Sequence, residues 1–363
     1  MQHISAPTEK TASNQYIKIA TFNLCNFIEP PDAFYDFENI YTNDQWQKKK
    51  AWIVDYLAQH QPDVIGFQEV FSPDALKNLL QEAGYPYFST VDKPQKVDDY
   101  VYQSPVVAIA SKFPIQSAAS VSIDDLAETS NAAQKSVTQE RFDFSRRPLR
   151  ATIQIPHIGL CDCYVVHFKS KRPMVEPTLS NNQSDPIAKS RQAHALDLLS
   201  QELLGGWASS CQRGTEAALL LQAMINRKAE LGYPAILMGD FNDDLHTGVL
   251  SHLLTGSTRQ LSPQENEALL GPYRFNDSWS LLQRNLNHNE PFPSAPYTFY
   301  YGAKGQVLDY ILLSREFDAT YHESLAEVYD YQLHDKHLVN PSYKDDSCST
   351  DHAIVMVSLK IRD

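Results

Sequence analysis

Basic residues are scarce in this chain: 31 Lys and Arg stand against 44 Asp and Glu, a formal charge of -13 over 363 residues. Such an excess repels polyanions at long range and excludes a protein that coats nucleic acid by charge alone. It leaves open an enzyme acting on phosphate, because a metal ion and a few Arg and Lys can offset the charge at one place. Cysteine is sparse too. Cys25, Cys161, Cys163, Cys211 and Cys348 are odd in number and low in density, which excludes a disulfide scaffold. Cys161 and Cys163 flank Asp162 in a strand-like stretch, so both thiols point to one face and read as core packing. No apolar run approaches the ~18 residues of a membrane helix. Residues 1–15 are polar, without the apolar centre of a secretory signal, and read as a flexible tail. The expectation is a cytoplasmic protein with no membrane span, or a secreted one if a leader has been removed, and no obligate protein partner is evident.

There is no internal repeat and no low-complexity tract. Hydrophobic residues make up 42% and aromatics 11%, enough for a large core. Short apolar, β-branched runs recur at residues 17–22, 63–67, 105–110, 163–166, 235–238, 307–313 and 353–357. Continuous runs of this length read as strands buried on both faces. Helical patterns lie between them. Residues 44–59 carry Trp46, Ile53, Val54 and Leu57, with Asn43 or Asp44 as the cap. Residues 73–83 open on Ser72 and Pro73, a cap followed by proline in the first turn. Residues 184–204 and 213–231 read as two longer helices. Strands and helices interleave from end to end, which predicts one α/β unit over residues 16–363 rather than two domains. Residues 92–101, 117–145 and 260–296 interrupt the pattern and read as surface insertions around a rim.

The informative polar residues sit at the ends of the apolar runs. Asn23 ends the first, Gln68-Glu69 the second, and His167 the run 164–166. Gly239-Asp240-Phe241-Asn242-Asp243 follows the run 235–238; Asp309 lies inside an apolar run; Asp351-His352 precedes the last strand. Strand ends are rigid supports, so such residues can converge on one mouth of a sheet. Hard cations such as Mg²⁺ take carboxylate and amide oxygens, which Asn23, Glu69, Asp240, Asn242 and Asp351 supply. A histidine held by a carboxylate can take a proton from water, and Asp309 is a partner of that kind for His352. His167 and Asn242 can donate to phosphoryl oxygens, and Lys169, Arg147 and Arg150 are candidates for binding phosphate. Each has a plainer reading: Glu69 as a solvated carboxylate, Gly239–Asp243 as a turn, Cys25 as packing. Asp309 is harder to dismiss, since an unpaired buried carboxylate costs several kcal/mol and demands a partner.

These pieces, taken together, resemble the endonuclease/exonuclease/phosphatase superfamily of deoxyribonucleases, abasic-site endonucleases, inositol-polyphosphate phosphatases and neutral sphingomyelinases. The matching stretches are Thr21-Phe22-Asn23-Leu24, Gln68-Glu69-Val70, Val166-His167-Phe168-Lys169-Ser170, Gly239-Asp240-Phe241-Asn242-Asp243, Leu308-Asp309-Tyr310-Ile311 and Ser349-Thr350-Asp351-His352. They run from residue 19 to residue 352 in the family's order. The resemblance implies an α/β (α+β) four-layered sandwich: two stacked mixed β-sheets flanked by helices, with the site at one edge. It implies Mg²⁺ or Mn²⁺, with Ca²⁺ a further candidate, held by Asn23, Glu69 and Asp351. Asp240 and Asn242 resemble the pair that orients the nucleophile, Asp309 and His352 the carboxylate–histidine dyad, and His167 the second histidine. His167 also separates this chain from abasic-site endonucleases, which generally lack it. Cys25 departs from the polar or acidic residue common at that place.

Three functions compete. The first is a phosphodiesterase or nuclease, with Arg146, Arg147, Arg150, Lys169, Lys171 and Arg172 flanking two site motifs and a nucleic acid as one substrate. The second is a phosphomonoesterase or phospholipid phosphodiesterase on a small head group, the lipid version being opposed by the lack of an exposed apolar stretch. The third is a protein that binds phosphate or a partner without turnover, which the complete set of acting residues opposes.

Overall fold

The computed structural model describes residues 16–121, 142–174, 191–286 and 294–362. The tail expected over residues 1–15, most of the insertion at 117–145, part of that at 260–296 and the start of the helix expected at 184–204 lie outside the described residues. The first half of the chain supplies β1 (Tyr16–Phe27), β2 (Ala33–Phe34), β3 (Val64–Val70), β4 (Tyr87–Ser89), β5 (Gln95–Lys96), β6 (Val101–Ser104), β7 (Val106–Ser111) and β8 (Ile115–Ser120). There follow β9 (Leu149–Ile155), β10 (Gly159–His167), β11 (Ala235–Asp240), β12 (Phe275–Asp277), β13 (Phe299–Tyr301), β14 (Lys304–Gln306), β15 (Asp309–Ser314), β16 (Ala326–His334) and β17 (Ile354–Ile361).

Two six-stranded mixed sheets form from these, in the orders β16-β17-β1-β3-β7-β4 and β12-β15-β11-β10-β9-β8. Each has a single parallel pair at its centre, β1 with β3 and β10 with β11; the other pairs within the two sheets are antiparallel. The sheets stack face to face. Ile17, Ile19, Val64 and Ile109 of the first meet Ile153, Cys163, Val165 and Met238 of the second in one buried cluster. At about 1.5–3 kcal/mol for each fully buried aliphatic side chain, this layer is a principal stabiliser. Cys161 and Cys163 both point into it, as the alternation predicts. Gly66 marks the closest approach, since a Cβ there would lie 2.8 Å from Met238 Cγ.

Helices cover both outer faces, completing the four-layered sandwich. Asn43–His60 and Pro73–Glu82 bury Trp46, Ile53, Leu57, Leu76 and Leu80 against the first sheet. The helix Arg191–Leu231 buries Ala217, Leu220 and Met224 against the second. Thr42 rather than Asn43 or Asp44 caps the first helix, in a reciprocal box with Gln45. Ser72 precedes Pro73 as expected, but its hydroxyl accepts Glu29 N–H at 2.8 Å instead of capping.

Three expectations need correction. The two helices expected at 184–204 and 213–231 are one helix, Arg191–Leu231, through Gly205-Gly206. Two glycines cost roughly 2 kcal/mol of helix propensity relative to alanine, but this stretch is anchored: Met174 N–H donates to Gly205 O at 3.2 Å and Ser209 Oγ to Arg172 O at 2.5 Å. The stretch 260–296 is not wholly a surface insertion. It contains the edge strand β12, and the helix Ser278–Asn285 places Leu281 and Leu282 in the inter-sheet core. Finally, the strands β4, β8, β9 and β16 were not foreseen, and β8 takes residues 117–120 of an expected insertion into the second sheet.

At the edge of the first sheet His334 stacks on His60 at 3.8 Å between ring centroids, and its Nδ1 meets Tyr56 Oη at 2.9 Å. Burial, aided by the His60 ring, lowers the His334 pKa from 6.5 to about 4. A histidine whose folded pKa is depressed is neutral when folded, so the unfolded chain takes up its proton first. Stability is therefore lost as pH falls through the window from about 6.5 to about 4. Urea unfolding at several pH values across that window should show a shallower fall for His334→Gln than for the wild type; parallel curves would remove His334 as the cause.

Candidate active site

The parallel pair at the centre of each sheet ends at the same mouth. Asn23 of β1 lies beside Gln68 of β3, and His167 of β10 beside Asp240 of β11, which in turn faces Asp309 of β15. The sequence therefore delivers its polar residues at the carboxyl ends of parallel strands, where open sheets place their sites. Of these, His167 and Asp240 line a cleft of about 680 Å³. Cys25, Asn26, Tyr35, Glu69 and Asn242 all have φ between 50° and 62° and all line it. Non-glycine residues rarely adopt that conformation, and its concentration here marks a backbone held in shape by its surroundings.

Asp240 is the hub. It is 1% exposed. Its Oδ1 accepts Asn242 N–H at 2.8 Å and its Oδ2 accepts Asn23 Nδ2–H at 3.1 Å. His167 Nε2 lies 3.6 Å and His352 Nε2 3.8 Å from the same Oδ2. His352 Nδ1 meets Asp309 Oδ2 at 2.8 Å, the partner that a carboxylate in an apolar strand required. The dyad is braced behind: Thr298 Oγ1 accepts the N–H groups of Leu308 and Asp309, His337 Nε2 donates to His352 O, and Thr350 Oγ1 donates to Asn23 O.

These surroundings set the protons. Burial pushes the Asp240 carboxyl up to about 7, with His352 opposing and Asp309 adding to the rise. Burial works against a charge on His352, but Asp309 and Asp240 outweigh it and hold its pKa well above the usual histidine value. His167 goes the other way: burial, then Arg146 and His352, keep it neutral. The site thus contains one charged and one neutral imidazole on either side of a carboxyl that gains and loses its proton near neutrality.

Glu69 and Asp351 line the cleft together with Arg146, Lys169, Lys171 and Arg172. Glu69 Oε2 accepts Asn26 N–H at 2.9 Å, and the buried Asn26 Oδ1 has no hydrogen-bond partner. Carboxylates beside an orphaned amide oxygen fit a hard divalent ion. Asp240, Asp309 and His352 form a second group able to hold a metal, their donor atoms all within 4.8 Å of one another. The two sets compete. In the second set Asp309 Oδ2 and His352 Nδ1 are already joined at hydrogen-bond distance, so Glu69, Asp351 and Asn26 are the better oxygen set. Asn23, expected among the ligands, uses both ends of its amide on Asp240 and Cys25 N–H. Burial, then Asp351, raises the Cys25 thiol, which keeps it protonated and a poor ligand.

Of the expected phosphate-binding residues, Lys169 lines the cleft, whereas Arg147 is exposed with Nε 3.9 Å from Asp92 and Arg150 lies on β9 outside the lining. Arg146 takes the place in the cleft. Two residues of the long helix were missed altogether. Glu216, 1% exposed, accepts Ser145 N–H and Lys169 N–H at 2.7 Å each. Arg213, equally buried, donates to Lys169 O and Asp243 Oδ2. Together they pin both cationic loops to the helix. The available signal was two charges, three apart, in an Ala- and Leu-rich helix.

An α/β sandwich with carboxylates and two histidines at one edge defines a class of phosphoester hydrolase. The chain belongs to the Endonuclease/Exonuclease/phosphatase family, whose match covers residues 20–352. Members of this family are hydrolases of phosphoester bonds and generally depend on a divalent metal. Among solved structures, humanized D. rerio TDP2 carrying 14 mutations is 15% identical, with 95% of this chain and 99% of that chain covered and a TM-score of 0.51. The human Nocturnin catalytic domain with bound sulfate anion is 15% identical over 96% and 98% of the two chains, with a TM-score of 0.51. Truncated TDP2 from Caenorhabditis elegans is 12% identical over 95% and 98%, again with a TM-score of 0.51. These likenesses establish the fold. No curated protein matches the sequence. Among the described residues no helix is long and apolar enough to cross a membrane.

Proposed function

We propose that this chain hydrolyses phosphate esters, phosphodiesters first among them, with Mg²⁺ or Mn²⁺ as the working ion. The observation that carries the reading is the convergence of Asn23, Asn242, His167 and His352 on the Asp240 carboxyl. A group titrating near neutrality in a water-accessible cleft is suited to take the proton of an attacking water, and Asp240 Oδ2 is that group. The dyad histidine then has a different task from the proton acceptor expected of it. Held protonated by Asp309, His352 offers Nε2–H to a phosphoryl oxygen as negative charge builds there. Neutral His167 positions the same oxygens, and Arg146 with Lys169 attracts the substrate into an otherwise acidic protein. Glu69 and Asp351, with Asn26 beside them, would hold the ion, which supplies Lewis-acid charge to the phosphate.

The protein, assayed with plasmid DNA, RNA, a nitrophenyl phosphomonoester and phospholipid vesicles, should cleave at least one diester with Mg²⁺ or Mn²⁺ and none with EDTA. Turnover of the monoester alone would replace the diester reading. Inactivity on the whole panel, with correct folding, would favour a binding protein. Glu69→Gln should shift the Mg²⁺ concentration for half-maximal activity upward by about tenfold or more, the scale expected on losing one charged ligand. An unchanged titration would remove Glu69 from the ion.

A further inference from the structure

The sequence suggests no exposed apolar stretch, yet the long helix carries one. Residues 194–200 and 202–204 are exposed, and Leu196, Leu199, Leu203, Leu204 and Trp207 are 57%, 54%, 65%, 67% and 67% exposed. Steps of three and four place Leu196, Leu199, Leu203 and Trp207 on one stripe, and Leu204, three before Trp207, flanks it. The side toward the body carries Gly205, which is buried, and Glu202, which lines the cleft. The exposed apolar area of these five apolar residues is on the order of 600 Å², larger than isolated surface residues explain and typical of an interaction face.

We infer that this stripe is a self-association face, on which a second copy of the chain seats its own helix antiparallel. The pattern itself supports this partner. Reversed about the midpoint between Gln201 and Glu202, Leu196 falls opposite Trp207, Leu199 opposite Leu204 and Leu203 opposite Ser200. A two-fold pairing needs such self-complementarity, since each residue meets its counterpart twice. The acidic residues obey the same symmetry: Asp197 falls opposite Gly206 and Glu202 opposite Gln201, so like charges do not meet. The exposed area approaches the ~800 Å² that each partner contributes to a standard interface, and an exposed tryptophan is a favoured anchor.

Other occupants fit less well. Membrane-surface helices carry Lys and Arg on the polar face, whereas this segment carries Asp197 and Glu202, on a chain of charge -13. The chain's own segments 122–141 and 175–190 hold only three large aliphatic residues each, spaced among polar ones.

Sedimentation velocity at tens of micromolar protein tests the inference. The wild type should run at twice the chain mass of 41.1 kDa. Leu199→Glu/Leu204→Glu should run at the single mass, with unchanged circular dichroism and unchanged hydrolysis of a small diester, because both side chains are exposed and outside the cleft. A wild type that stays monomeric overturns the inference, as does a dimer that survives the double substitution. Co-pelleting of a monomeric wild type with phosphatidylcholine vesicles would instead make the stripe a membrane-docking face and refute self-pairing.

Discussion

Asp240→Asn should lower turnover by about 1000-fold while the protein stays folded. The amide is nearly isosteric and can still accept Asn242 N–H, so the loop Phe241–Asp243 has no reason to collapse. It cannot take a proton from water, and it turns an acceptor shared by Asn23 and both histidines into a partial donor facing donors. Loss of a general base removes about 10²–10⁴ in rate. The comparison is steady-state hydrolysis of one diester by wild type and variant at equal metal saturation, with circular dichroism on both. A variant within tenfold of wild type would show that Asp240 is structural, and the proton would have to be taken elsewhere.

Glu216→Ala should be the most damaging substitution outside the cleft. The carboxylate is buried and accepts two backbone N–H groups from loops that are distant in sequence, Ser145 and Lys169, with Gln212 as a third donor. Removing it strands the two backbone donors, Ser145 N–H and Lys169 N–H. Each unsatisfied group costs about 1–3 kcal/mol, so a loss of roughly 2–5 kcal/mol follows. Because the same bonds fix Arg146 and Lys169 at the cleft, KM should rise more than kcat falls. Chemical denaturation with a kinetic measurement on the folded fraction reads both. Unaltered stability would mean that the loops hold their places without the helix.

What could be read from the chain follows a physical divide. Strands buried on both faces announce themselves as unbroken apolar runs, and a polar residue that ends such a run is conspicuous. That is why Asn23, Glu69, His167 and Asp240 were visible, and why Asp309 inside an apolar run pointed to His352. The resemblance then supplied the layers and the order. Residues whose role depends on sidedness were not visible. Among Arg146, Arg147 and Arg150 no sequence rule says which faces the cleft; the loop leading into β9 decides, and it admits Arg146. Asn23 has an amide oxygen of the kind that suits Mg²⁺, and that its amide spans Asp240 and Cys25 N–H is a tertiary fact no sequence rule gives. β12 has three residues, too few for any period to show. The long helix was read as two, and the bonds from Met174 and Ser209 that hold its Gly205-Gly206 stretch are tertiary and have no local signature.

The most direct test of the account is hydrolysis of bis(p-nitrophenyl) phosphate by the purified protein, with Mg²⁺ and with EDTA, beside His352→Ala. The account predicts release of nitrophenol that requires the metal and falls by about 100-fold or more in the variant, the scale of losing one preorganised donor. Equal rates in wild type and His352→Ala would contradict it, because the group facing Asp240 across the cleft would then take no part in the chemistry.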